Sequence, residues 1–151
     1  RLKIRMDISK IRESLIAAEG LRYRAYDDPI LGASHPTIAV GHLIKLPEEE
    51  YLLEKELTMD EVMELLDNDI QIAITGAKKF INLEEHPDAI QETIVCLVFN
   101  MGLPRLQGFR KMKAALEAKD YVEAHNQLLD SKYARQLPHR AKDYAEKIRD
   151  A

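Results

Sequence analysis

Tryptophan is absent from this 151-residue chain, cysteine occurs once, at Cys96, and there are only three phenylalanines and six glycines. A lone cysteine excludes an internal disulfide, so folding does not draw on an oxidising compartment. No run of about 18 apolar residues occurs, so no membrane-spanning helix is expected. The sequence also lacks an Asp-x-Asp-x-Asp-Gly calcium loop, internal repeats and low-complexity linkers. A basic stripe with interleaved aromatics is missing too, so nucleic acid is not an expected partner. Residues 1–6 carry no apolar segment, so no signal peptide is expected. The chain does not open on Met and is read as either trimmed or part of something longer.

What is present is an ordinary globular composition, 46% hydrophobic and 32% charged. The length fits one compact domain with a real core, in one piece or two lobes. The net charge of −4 is unevenly spread. Residues 1–100 carry 11 Lys and Arg against 19 Asp and Glu, whereas residues 101–151 carry 11 against 7. That basic final third either solvates helices or faces an anionic polymer.

Asp7 can cap a helix over residues 8–19, where Ile8, Ile11, Leu15 and Ala18 recur at helical spacing and Gly20 is a natural stop. Residues 21–43 change character: Tyr23, Tyr26, Thr37, Ile38 and Val40 favour strands, while Asp28-Pro29, Gly32 and Pro36 mark turns. A small antiparallel sheet is expected here, and Glu48-Glu49-Glu50 opens a short acidic helix. Thr58 and Glu61 form a capping box for a helix running to about Phe80. Pro87 sits at a helix start, and residues 89–101 are apolar nearly all round, as a buried central helix is. Shorter helices follow at about 110–118, 120–130 and 139–150, with Pro138 as a break. The order predicts an α+β fold: an N-terminal helix at about 8–19, a small antiparallel β lobe at about 20–57 and a larger mainly helical lobe at about 58–151, with a cleft between the lobes.

Glu19 closes the first helix, and Asp28 follows nine residues later. Two carboxylates on different elements are what glycosidic bond hydrolysis requires. The acid must stay protonated near neutral pH. Glu19 suits this, because a helix C-terminus disfavours its anion. Asp28, in a polar turn, suits the group that stays ionised. Asp27 is adjacent, and the sequence leaves the choice between them open. On composition alone, solvated surface carboxylates are the more ordinary account.

The pattern is carried further by Glu19-Gly20-Leu21-Arg22, Ala25-Tyr26, Asp28, Thr37-Ile38 and Gly41-His42-Leu43. It resumes over residues 58–69, at Val98-Phe99-Asn100-Met101-Gly102 with Gly108-Phe109, and at Pro138-His139-Arg140-Ala141. In this order the chain resembles the phage-type lysozymes, the muramidases of glycoside hydrolase family twenty-four, over nearly its whole length. The resemblance implies a lysozyme-like fold and an inverting peptidoglycan hydrolase. The bond cleaved is then expected to be the β-1,4 link between N-acetylmuramic acid and N-acetylglucosamine, with no cofactor or metal expected. It implies Glu19 as general acid, Asp28 as base or electrostatic partner and Thr37 as a holder of the attacking water. Arg140 matches an arginine near the acid, and His42 with Asp69 a structural salt bridge between sheet and helix. Leu43, Phe99, Met112 and Gln127 fall where relatives line the sugar cleft, with Phe99 half core and half cleft wall. Met112 and Gln127 replace the residue types usual there.

Two departures stand out. The segment between Asp28 and Thr37 is three residues longer than the common pattern, so the hairpin must bulge or turn differently. Ala39 occupies a usual glycine position, harmless if extended and costly if positive φ is needed. His35 and His42, seven residues apart, lack the tight repeated spacing of a zinc site. Cys96, in the most apolar segment, reads as a buried structural thiol. The acidic stretch over residues 48–69 reads as a solvated helix face.

The expected role is cell-wall lysis at the end of phage infection, or as the lysozyme module of a phage tail. Synthesis is expected in the host cytoplasm, with action on the periplasmic wall. A monomer, or a module of a larger phage protein, is expected. Two rivals are a lytic transglycosylase, which needs no second carboxylate, and a non-catalytic wall-binding or interaction module on the same scaffold.

Overall fold

The computed structural model describes residues 6–28 and 31–151, apart from the side chain of Ala33. The reading of residues 1–5 and the Pro29 part of the expected turn therefore lie outside the described residues. The chain divides into two compact units, Ser9–Gln71, and Ile72–Ala151 together with the residues up to Ile8 at the very start of the first helix.

In the first unit, helix α1 (Ile8–Glu19) buries Ile11 and Leu15, one turn apart on a single face. Gly20 adopts φ +78°, and its N–H donates to the Ile16 carbonyl at 2.8 Å. A left-handed glycine after the last turn is the usual helix stop, and it makes Glu19 the final helical residue. Arg12 donates two bonds to Asp67 of helix α2 (Met59–Phe80), at 2.7 and 2.9 Å, which joins the two helices. The capping box at the start of α2 is complete. Thr58 Oγ1 accepts from the Glu61 N–H at 3.2 Å, and Glu61 Oε1 accepts from the Thr58 N–H at 3.0 Å.

Three antiparallel strands, β1 (Arg22–Asp28), β2 (Gly32–Ala39) and β3 (His42–Leu43), lie in the order β1-β2-β3. Tyr26 faces Thr37 and Asp27 faces Pro36, yet Asp28 faces Gly32. One step along β1 thus spans four along β2, and residues 33–35 form a bulge. The expected bulge is present there, and Thr37 is paired with Tyr26 on one side and Leu43 on the other. The β2–β3 turn holds Ala39 at φ 58° and Gly41 at φ 62°. Ala39 is therefore in the costly alternative: a left-handed residue other than glycine costs roughly 1–2 kcal/mol. Its methyl is fully buried, which returns part of that cost. The acidic helix expected after Glu48 is a single 3-10 turn, Glu50–Leu53.

The second unit is helical. Helix α3 (Asp88–Met101) buries an unbroken run from Thr93 to Val98, as its apolar composition predicts. Gly102, at φ 82°, ends it and leads into the four-residue α4 (Leu103–Leu106). Then come α5 (Arg110–Glu117), α6 (Tyr121–Leu129), α7 (Lys132–Gln136) and α8 (Pro138–Arg149). Pro138 does not break a helix but opens α8, where its missing N–H has no intrahelical role. Asp120 and Ser131 cap α6 and α7 through side-chain oxygens. Helix α8 packs on α3, α6 and α7. A Cβ at Gly76 of α2 would lie 2.8 Å from Val98 Cγ1, so glycine permits the close approach of α2 and α3.

Candidate functional site

The Ser9–Gln71 unit contains Glu19, Asp28 and Thr37. Glu19 is half-buried, held at the end of α1 by the Gly20 stop. A Cβ at Gly41 would lie 2.9 Å from both Cδ and Oε2 of Glu19. The bare backbone of the β2–β3 turn therefore forms a wall against this carboxyl. Asp28 is half-buried at the end of β1 and accepts the Leu31 N–H at 2.7 Å, whereas neighbouring Asp27 is exposed. Thr37 is 2% exposed, and its hydroxyl donates to the His35 carbonyl at 3.1 Å, across the bulge. The hydroxyl oxygen keeps lone pairs with which to accept a further bond.

His42 and Asp69 form the expected sheet-to-helix pair, with Nδ1 2.7 Å from Asp69 Oδ2. A partner not foreseen stands on the other side: His42 Nε2 lies 3.0 and 3.1 Å from the two oxygens of Glu49. A neutral imidazole has one N–H, so donation to carboxylates from both nitrogens calls for the protonated ring. Consistent with this, the His42 pKa is raised. The bond to Asp69 is the largest cause and outweighs burial, with Asp69 and Glu49 charge adding to it. For Glu49, burial alone pushes the carboxyl upward. The Lys45 N–H, at 2.9 Å, and His42 together overcome this and hold it below its ordinary value. The acidic stretch is thus not wholly a solvated face, because Glu49 and Asp69 are committed to His42. The other histidine weighed with it, His35, lies in the bulge, with Nδ1 2.9 Å from Ser34 Oγ and 3.2 Å from the Leu31 carbonyl.

Leu43 is well exposed on β3. In the second unit, Phe99 is half-buried near the end of α3. Beside it, Asn100 Oδ1 accepts from the Tyr133 hydroxyl at 3.0 Å and from Arg140 Nη1 at 3.2 Å. This acceptor joins α3, α7 and α8 and fixes one edge of the Arg140 guanidinium. Asn100 and Tyr133 were not singled out from sequence, although Asn100 lies inside a quoted motif. Met112 and Gln127 come together as lining of one pocket of about 480 Å3. Met112 is 1% exposed by residue but turns part of its surface to this space. Arg105, Arg110, Lys111 and Lys132 also line the pocket, against the single carboxylate of Asp130. Four of the eleven cations of residues 101–151 therefore line one concavity.

The unit Ser9–Gln71 thus offers a half-buried carboxyl at a helix end, a second at a strand end and a buried hydroxyl on the central strand. That set can donate a proton, bear a charge and hold a water. The second unit offers a cation-rimmed pocket for an anionic or polar chain. A family model described as Phage lysozyme matches residues 16–142, from within α1 to within α8.

Proposed function

Since the chain belongs to the phage lysozyme family and is a lysozyme-type glycosidase acting on peptidoglycan, we propose that it hydrolyses the β-1,4 bond between N-acetylmuramic acid and N-acetylglucosamine with inversion. Glu19 donates its proton to the leaving glycosidic oxygen. The carboxylate of Asp28 and the hydroxyl of Thr37 hold and polarise a water on the opposite face of the sugar. Inverting enzymes keep their two carboxyl groups about 6.5–9.5 Å apart to admit that water. We assign Leu43, Phe99, Met112 and Gln127 to binding the polymer. The biological role is lysis of the bacterial wall.

The observation that carries this reading is the construction around Glu19. The Gly20 stop makes it the last residue of α1, and Gly41 presents backbone to its carboxyl. Its helix-end position and partial burial both favour the protonated form that a general acid needs. The bulge supports the same reading, because it keeps Thr37 in register with Tyr26 and Leu43.

The test is clearing of permeabilised Gram-negative cells together with analysis of the released fragments. Wild type should clear the suspension and leave reducing muramic acid ends of inverted configuration. Glu19→Gln should lose about 100- to 10,000-fold of the rate, as loss of a general acid does. Anhydro-muramic ends would instead establish a transglycosylase. Equal clearing by wild type and Glu19→Gln, or none by either, would sink the proposal.

A further inference from the structure

The β2–β3 turn is short, strained and placed against the acid. Strand β3 has two residues, and its pairing with β2 rests on Thr37 with Leu43 and Ile38 with His42. Ala39, the last residue of β2, and Gly41, one of the two residues between the strands, have positive φ. Backbone in such conformations persists only where its surroundings over-determine it. The residue that follows the turn is His42, 8% exposed and gripped from both sides. Asp69 on α2 takes one nitrogen and Glu49 takes the other. Glu49 is in turn oriented by the Lys45 N–H. The adjacent Gly41 is the residue whose backbone meets the Glu19 carboxyl. All these groups lie in the unit Ser9–Gln71.

We propose that Glu49 is a positioning residue for Glu19: it closes the second side of the grip on His42 and so holds the Gly41 backbone against the acid. Asp69 alone fixes one ring nitrogen and leaves the imidazole a hinge about that bond. A second carboxylate removes the hinge. Glu49 touches no reacting atom in this scheme, and its influence passes through His42 and the turn. The inference rests on the assignment of Glu19 as the acid, and its kinetic part has no meaning without that assignment.

The experiment compares wild type with Glu49→Ala and Glu49→Gln in two readouts. Gln keeps an oxygen that can accept from both His42 and Lys45 and should restore most of what Ala loses. In kinetics on purified peptidoglycan, Glu49→Ala should lower kcat about tenfold with KM changed less than about twofold, as loss of an orienting partner does. The second readout is independent of activity. By carboxyl-carbon NMR the Glu19 titration should move by about half a pH unit in Glu49→Ala and return in Glu49→Gln, since its immediate surroundings change. The Gly41 amide should exchange faster with solvent in the alanine variant. Should alanine unfold the chain, Glu49→Asp, one methylene too short to reach both partners, should move the titration in the same direction. An unchanged Glu19 titration and Gly41 exchange, with only the melting temperature lowered, would overturn the proposal and leave Glu49 a stabilising residue. Absence of clearing by wild type would overturn the assignment of function instead, and the NMR comparison would still decide the role of Glu49.

Discussion

A methyl group at position 41 would meet the Glu19 carboxyl at 2.9 Å. Gly41→Ala is therefore expected to displace the Glu19 carboxyl and, with Glu19 as the proposed acid, to lower kcat by about 10- to 100-fold, the usual effect of a misplacement near 1 Å. It should also cost about 1 kcal/mol of stability from the left-handed backbone alone. Clearing rates and thermal melts of the variant check both. The buried histidines give opposite pH signatures. His42 binds its proton more tightly folded than unfolded, so its contribution is complete below about pH 6.5 and fades as pH rises through the raised folded value. His86 is buried with Nδ1 2.8 Å from the Tyr121 oxygen. Burial first, and Lys119 second, hold its pKa below 6.5, so its contribution is lost as pH falls. Melting temperatures from pH 5 to 9 should lose their alkaline decline in His42→Asn and part of their acid decline in His86→Gln. At this scale the sequence made the His42–Asp69 pair legible, because each member lies in an ordered motif, and it named Glu19 and Thr37 as candidates. Glu49 was hidden: it lies in an irregular loop, and no periodicity connects it to the ring it holds.

Elements that repeat themselves were legible, and those too short to repeat were not. Helices α1, α2, α3 and α8 announce themselves by apolar spacing, caps and stops. The four-residue α4 and five-residue α7 are shorter than the window over which spacing carries a signal. The hairpin was legible as a hairpin, but its register was not, since a bulge is a tertiary choice rather than a composition. That register yields a prediction of its own. Because Tyr26 and Thr37 pair on the far side of the bulge, deletion of residues 33–35 should make the pairing of β1 and β2 regular from Tyr26 to Asp28 without moving Thr37. The shortened chain should retain clearing activity within about tenfold, the loss being the Thr37 bond to the His35 carbonyl. A change in the pairing of Tyr26, read from cross-strand NOEs, would contradict it.

For the whole molecule, net charge misleads and its distribution informs. A protein of net charge −4 meets an anionic wall, yet four cations line the one pocket that contains Met112 and Gln127. Local potential at such a concavity outweighs a distant excess of opposite sign, because salt screens beyond about 8 Å. Replacing Arg110 and Lys111 together by alanine should weaken retention on purified wall sacculi several-fold at low salt, and the difference should shrink at about 0.5 M salt. Co-sedimentation in the Glu19→Gln background, with and without the pair, measures this. The burial of Cys96, 2% exposed in the middle of α3, has a practical corollary. The sole native thiol is shielded from maleimide chemistry, so the chain offers a chemically quiet background. A cysteine introduced at exposed Ser34, in the bulge, would be the reactive one and would carry a dye beside Thr37. Its fluorescence would test in real time whether the polymer reaches this strand.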